Sequence, residues 1–506
     1  MKDKNLSVIT RRDFLRRAAC AAVGTAAMTS AIRDLRFMNA AVAQSNITDY
    51  KALVCIFLAG GNDSNNMIMP TATSEYNNYM TIRTPVLAIP QNTLLPLKQS
   101  DGVTDYMDPA GHTFGLHPAC PELQQLFRDG KLAVLMNAGT LVMPITRAQY
   151  QSGGQRPPQL FSHADQVTQW QTSVPDQPAL TGWGGRCADL LNSVNPNAGI
   201  SLSVSLAGAN TFEVGNIVSQ YAVSTSGAIS LNGVSGTRLA TLTNILGLPY
   251  SNLQAQAYAS VAEHSINTGA LLNSAITNSA AANYWTNTFP TKITTPNGGS
   301  TFTSSLTSQL KMIARLIEAG SRAAGSPTNG FGMKRQIFFC QVGGYDLHSG
   351  QTNYNTTTPD NVIIGAHANL LAELSQALMV FQQAMEQLNL QDSVTAFTAS
   401  DFGRTFPSNG QGSDHGWGSH HLIVGGSGYK SLAARSVLGG QTYGKFPTLT
   451  VNGPDDTNTG RWIPTTAIDQ YFATIATWFG VDSSNLGTVF PNIGRFTTPN
   501  LGFMKT

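Results

Sequence analysis

The stretch Ala52-Leu53-Val54-Cys55-Ile56-Phe57-Leu58, closed by Ala59-Gly60-Gly61-Asn62-Asp63, decides how the rest of the chain is read. Seven apolar residues without polar alternation describe a strand buried on both faces, and such strands belong to mainly parallel sheets covered by helices. Pro118 to Gly130 then places Leu123, Leu126 and Phe127 on one helical face, with Gly130 as its stop. Leu132-Ala133-Val134-Leu135-Met136 follows as a strand, completing the strand–helix–strand order of a βαβ unit.

The same grammar returns towards the C-terminus. Ile313, Leu316 and Ile317 mark a helix that stops near Gly325, and Gln336-Ile337-Phe338-Phe339-Cys340 is a strand running into Gly343-Gly344-Tyr345-Asp346. Ala366 to Leu390 has the apolar spacing of a long helix. Val394-Thr395-Ala396-Phe397-Thr398 is a strand ending in Ala399-Ser400-Asp401, His421-Leu422-Ile423-Val424 enters Gly425-Gly426, and Thr465 to Phe479 is a closing helix. The expected fold is α/β, with a mainly parallel central sheet flanked by helices. Between about 192 and 329 Thr, Ser, Asn and Ala dominate, with a helix around Leu253 to Thr277; this reads as an inserted, cap-like segment.

The N-terminus carries an export address. Thr10-Arg11-Arg12-Asp13-Phe14-Leu15-Arg16 fits the twin-arginine consensus, Ala18 to Ile32 is a short, weakly apolar stretch, and Ala41-Val42-Ala43 is a small-x-small cleavage pattern. Residues 1–43 are therefore expected to be a signal peptide and 44–506 the exported domain, periplasmic or extracellular, delivered by the twin-arginine machinery. The chain has 30 basic and 28 acidic residues; 8 and 3 of them fall in the first 43, leaving 22 against 25 afterwards. That balance is no electrostatic footprint for nucleic acid, and no later apolar run is long enough to cross a membrane. Cys55, Cys120, Cys187 and Cys340 follow the signal without a CxxC pair, and Cys55 and Cys340 sit in strand-like runs that favour buried thiols.

The unusual polar residues cluster by position. Asp63, Asp346 and Asp401 each lie just past the carboxyl end of an expected strand, the edge where open α/β sheets bind ligands. In Asp346-Leu347-His348, residues i and i+2 of an extended segment point to one side, converging as a metal needs. Asp414-His415-Gly416-Trp417-Gly418-Ser419-His420-His421 adds a second cluster, of whose two adjacent histidines only one can face a given side. Mixed Asp and His suit Zn²⁺ or Mn²⁺ rather than Ca²⁺. Taken singly, each motif also has a plain structural reading, as a turn, a cap or a surface hydrogen bond.

Gly60-Gly61-Asn62-Asp63-Ser64, Gly344-Tyr345-Asp346-Leu347-His348, Ser400-Asp401-Phe402-Gly403-Arg404-Thr405 and Asp414-His415-Gly416-Trp417, in that order, resemble the exported bacterial family known as domain of unknown function 1501. The resemblance runs from about Ala52 to Gly480. That family is in turn similar to the alkaline phosphatase and sulfatase superfamily. The resemblance implies an alkaline-phosphatase-like fold with metals at the carboxyl edge of the sheet. It carries the ligand roles onto Asp63, Asp346, His348, Asp401, Asp414, His415 and either His420 or His421. It puts the nucleophile at Ser162, in Phe161-Ser162-His163-Ala164-Asp165, with Ser64 as the rival. A helix N-cap is the other reading of Ser162, since Asp165 three residues on makes a loose capping box. Arg404 is expected either to grip a phosphate or sulfate oxygen or to form a structural ion pair. The superfamily's Asp-His is replaced here by Asp401-Phe402, and Cys120 lacks the Cys-x-Pro-x-Arg context of a formylglycine sulfatase.

Two functions fit these features. One is an exported metal-dependent hydrolase acting on a small-molecule or polymer ester of phosphate or a related acid. The other is a non-catalytic exported binding protein on the same fold. An open coordination position beside a nucleophile separates the first from the second.

Overall fold

Every residue from Ala52 to Leu58 is buried. Alternate side chains of a strand point to opposite faces, so both faces of the sheet at this strand are covered. The computed structural model describes residues 47–195, 199–228, 231, 233–277, 289–296, 301–325 and 330–505; the expected signal over residues 1–43 lies outside them. Among the described residues no helix is long and apolar enough to cross a membrane.

The central sheet has ten strands: β1 (Lys51–Leu58), β2 (Leu132–Gly139), β3 (Ser203–Ser205), β4 (Tyr221–Ser224), β5 (Gly227–Ala228), β6 (Arg335–Val342), β7 (Val394–Ser400), β8 (Ser419–Gly425), β9 (Gln441–Tyr443) and β10 (Thr466–Ala467). Their order is β9-β2-β8-β7-β1-β6-β3-β4-β5, with β10 also paired to β2. β1 lies at the centre, parallel to β6 on one side and β7 on the other, so that Cys55 stands opposite both Phe339 and Phe397. β2 is not the neighbour of β1, as a simple βαβ unit would make it; β7 and β8 lie between them.

β8 runs antiparallel to both β7 and β2. This reversal brings the start of β8, and the loop before it, to the sheet edge where β1, β6 and β7 end.

Helices cover the sheet in two groups. α1 (Thr73–Leu87) leads from the first strand region, and α2 (Pro121–Arg128) precedes β2. α3 (His163–Thr172) and α4 (Trp183–Leu191) follow β2; then come α5 (Leu253–Thr277), α6 (Ser305–Ser321), α7 (Ala366–Gln387) and α8 (Ile468–Phe479). α7 packs against both α2 and α6. In the other group, Trp183 of α4 stacks on Phe472 of α8 at 4.4 Å and reaches Phe397 of β7 at 5.8 Å. Offset aromatic contacts of this kind add roughly 0.5–1.5 kcal/mol each to the area they bury.

The segment 192–329 does more than cap the sheet: its β3, β4 and β5 extend the sheet beyond β6. They are only two to four residues long, as suits strands at the thin end of a sheet. The cysteines Cys55, Cys120, Cys187 and Cys340 are free and buried, and burial pushes their thiols up from the ordinary range.

Candidate metal centre

Tight backbone approaches at the carboxyl edge bring the loops together. Gly60 has φ +115°, and a Cβ there would stand 2.4 Å from the backbone N of Asp346, so only glycine lets the β1 and β6 loops touch. The Gly60 N–H donates to Asp401 Oδ1 at 3.0 Å, and Ser400 Oγ donates to Leu58 O at 2.7 Å, tying the ends of β1 and β7. The loop between β7 and β8 doubles back on itself, so Arg404 and His415 pair across it as an antiparallel bridge.

Into this space come three imidazoles. His163, the first residue of α3, has its Nε2 3.1 Å from His415 Nε2, and His348 Nε2 lies 2.9 Å from the same atom. Asp346 joins them: its Oδ1 is 3.1 Å from His348 Nε2 and 3.5 Å from His415 Nε2, and its Oδ2 is 3.5 Å from His163 Nε2. His163, Asp346 and His415 each offer a donor atom within 4.8 Å of the others, a grouping that could hold a metal ion.

The opposite ring nitrogens decide the tautomers. His415 Nδ1 faces the carbonyl oxygen of Phe161 at 2.7 Å, and a carbonyl only accepts, so Nδ1 bears the proton. His163 Nδ1 faces Asp401 Oδ2 at 2.6 Å, and His348 Nδ1 faces Asp414 Oδ1 at 2.9 Å. With all three protons placed on Nδ1, the Nε2 lone pairs of His163 and His348 each face that of His415, beside the Asp346 carboxylate. Such atoms have nothing to share among themselves; a cation between them resolves the conflict. Two nitrogens at about 2.0–2.1 Å from a tetrahedral Zn²⁺ would stand roughly 3.3 Å apart, close to the spacings found. Burial lowers the His415 pKa, and the His163 ring and Arg404 guanidinium act in the same direction, against the Phe161 hydrogen bond and the Asp346 carboxylate. Burial alone would raise Asp346, but the hydrogen bond and charge of Arg404 hold its carboxyl below the usual range.

The structure brings Asp346, His348 and His415 together, and adds His163. That histidine sat in the motif around Ser162, but one His at a helix start gives no spacing signal of its own. Four expected ligands stand elsewhere. Asp63 turns inward after the glycine pair and is buried against Arg83 of α1 and Gln351, an ion pair that takes the charge a metal would have used. Asp401 and Asp414 sit behind the imidazoles; the two oxygens of Asp401 are engaged by Gly60 and His163, and Asp414 Oδ1 also accepts from Asn409 Nδ2 at 2.9 Å. His420 points into the fold because it lies within β8, and its Nδ1 accepts the backbone N–H of Asn137 at 3.0 Å. Burial pushes the pKa of His420 down to about 3 and does the same to His421, whose ring packs on Trp170 at 4.7 Å.

Arg404 forms an ion pair, its Nη2 donating to Asp346 Oδ1 at 2.8 Å from a fully buried side chain. Ser162 occupies the N-cap position of α3, but its hydroxyl donates to the Asp165 carboxylate at 2.6 Å. Ser64 is buried in the short turn Ser64–Asn66.

The family described as "Protein of unknown function (DUF1501)" matches residues 50–486, a span that contains the whole donor cluster. The chain belongs to that family. A comparison with curated proteins finds no match. Among solved structures, that of Ps i-CgsB in complex with k-i-k-neocarrahexaose aligns with 89% of this DUF1501 chain and 77% of its own, at 8% identity and a TM-score of 0.32, too low to show a shared fold.

Proposed function

We propose that this protein is an exported metal-dependent hydrolase of phosphate or related esters, built on an alkaline-phosphatase-like sheet. The observation that carries the reading is the meeting of the His163 and His415 Nε2 atoms with the Asp346 carboxylate, with His348 Nε2 against His415 and Asp346 and every imidazole held from behind through Nδ1. Partners on the far nitrogen are the usual companions of histidine ligands, fixing tautomer and ring orientation. Imidazole with carboxylate favours Zn²⁺ or Mn²⁺ over Ca²⁺. A divalent cation bound there supplies Lewis acidity towards an ester oxygen and a lowered pKa for water.

The chain's own residues divide the remaining work. His163, His415 and Asp346 would hold the cation, with His348 beside His415, while Asp401, Asp414 and the Phe161 carbonyl orient the rings. Arg404 fixes Asp346 and offsets its charge. Ser162 is the nucleophile of this reading: it stands next to His163, and its hydroxyl already donates to Asp165, a carboxylate able to take the proton. Export rests on the twin-arginine motif and the cleavage pattern of residues 1–43.

Elemental analysis of the purified exported protein tests the proposal, with wild type beside His163→Ala and an Asp346→Ala, His348→Ala double variant. Near-stoichiometric Zn or Mn in the wild type, lost in both variants, supports it; Ser162→Ala should then keep the metal and lose ester hydrolysis. A wild type with no metal, and no gain in stability on adding any, sinks it and leaves an exported binding protein.

A further inference from the structure

Beside Phe161 lies a cavity of about 390 Å³ lined by Tyr150, Arg156, Gln159, Leu160, Phe161 and two prolines. Phe161 joins the two sites, its carbonyl accepting from the His415 ring while the residue itself lines the cavity. The cavity has no carboxylate in its wall. Arg156, in the wall, lies 4.9 Å from the Tyr150 ring centre, and Arg461, outside the lining, lies 4.2 Å from that of Phe161. Arg156 is exposed, and among the described residues its guanidinium makes only a long hydrogen bond, from Nη1 to Tyr150 O at 3.4 Å. Arg461 is anchored by Nε to His415 O at 2.7 Å, which ties its position to the donor cluster. An aromatic face orients a guanidinium without neutralising it, so its N–H groups stay available to an anion.

We propose that this cavity binds an anionic group of the substrate other than the reacting ester. The role as a substrate subsite rests on the hydrolase reading; the anion binding itself does not need the metal. The balance of 22 basic against 25 acidic residues after the expected cleavage site means that a polyanion gains nothing from the protein's overall charge. Binding must therefore be local.

Calorimetric titration with dextran sulfate, and with neutral dextran as comparator, tests the proposal on the full mature protein at low and at physiological salt. Wild type should bind dextran sulfate, more weakly as salt rises, and should not bind dextran. Arg156→Gln should weaken binding about fivefold and Arg156→Lys less, with metal content unchanged in both. Adding Arg461→Lys should deepen the loss. Absence of dextran sulfate binding, equal binding of neutral dextran, or affinity indifferent to both arginines overturns the proposal. Repeating the titration on Asp346→Ala with His348→Ala separates the two readings: retained binding leaves the anion site standing whatever becomes of the metal, whereas lost binding in a folded variant overturns its independence from the metal.

Discussion

His163 Nδ1 stands 2.6 Å from Asp401 Oδ2, although the two residues are 238 apart in the chain, and the other oxygen of that carboxylate accepts the Gly60 N–H at 3.0 Å. One side chain thus aims an imidazole and closes the turn after the central strand. Asp401→Asn keeps the shape but has only one accepting oxygen for two donors. Metal affinity, measured by competition with a chromogenic chelator, is expected to fall roughly 10- to 100-fold. An unchanged affinity would show that Asp401 does not orient His163.

The buried pair Arg83–Asp63 anchors the loop that carries His415, because Arg83 Nη1 also donates to the carbonyls of Thr405 at 3.1 Å and Phe406 at 3.0 Å. Removing one partner leaves an uncompensated buried charge. Arg83→Ala should cost about 3–5 kcal/mol in urea unfolding. A cost near zero would mean that the pair does not fasten the loop.

At Gly60, alanine would require a left-handed backbone and would drive its Cβ to 2.4 Å from the Asp346 backbone. The backbone term alone is about 1–3 kcal/mol. Gly60→Ala should lower Tm and, by displacing Asp346, metal occupancy as well. Loss of stability with full occupancy would place the strain elsewhere than at Asp346.

Two carboxyls outside the site give stability a pH dependence. Burial raises Glu213 and Asp469 to about 8, from 4.5 and 3.8. Their folded values lie above their unfolded ones, so the folded state holds protons that the unfolded state has released. Their contribution is fully present below about pH 4 and is lost as pH rises towards 8, at about 1.4 kcal/mol per pH unit for each group. Glu213→Gln and Asp469→Asn should each flatten the fall in Tm between pH 5 and 8, roughly the window between those values. A slope that survives the double substitution would assign it to other groups.

Much of this molecule is written locally. Ala52 to Leu58 announces a buried strand because burial on both faces removes the need for polar alternation, and the Leu253–Thr277 helix and the strand around Gln336–Cys340 are read from their spacing in the same way. Asp346-Leu347-His348 is likewise legible, since both members of the motif share one extended segment. What tertiary structure alone decided was which polar groups face one another. The antiparallel setting of β8 brings His415 to the edge and buries His420 five residues later. Asp63 looks like a ligand until Arg83, twenty residues on, supplies a closer charge. His163 becomes a donor only because α3 starts beside the β7–β8 loop. Strand and helix signals depend on neighbours a few residues apart, whereas the donor cluster depends on loops whose contacts span most of the chain.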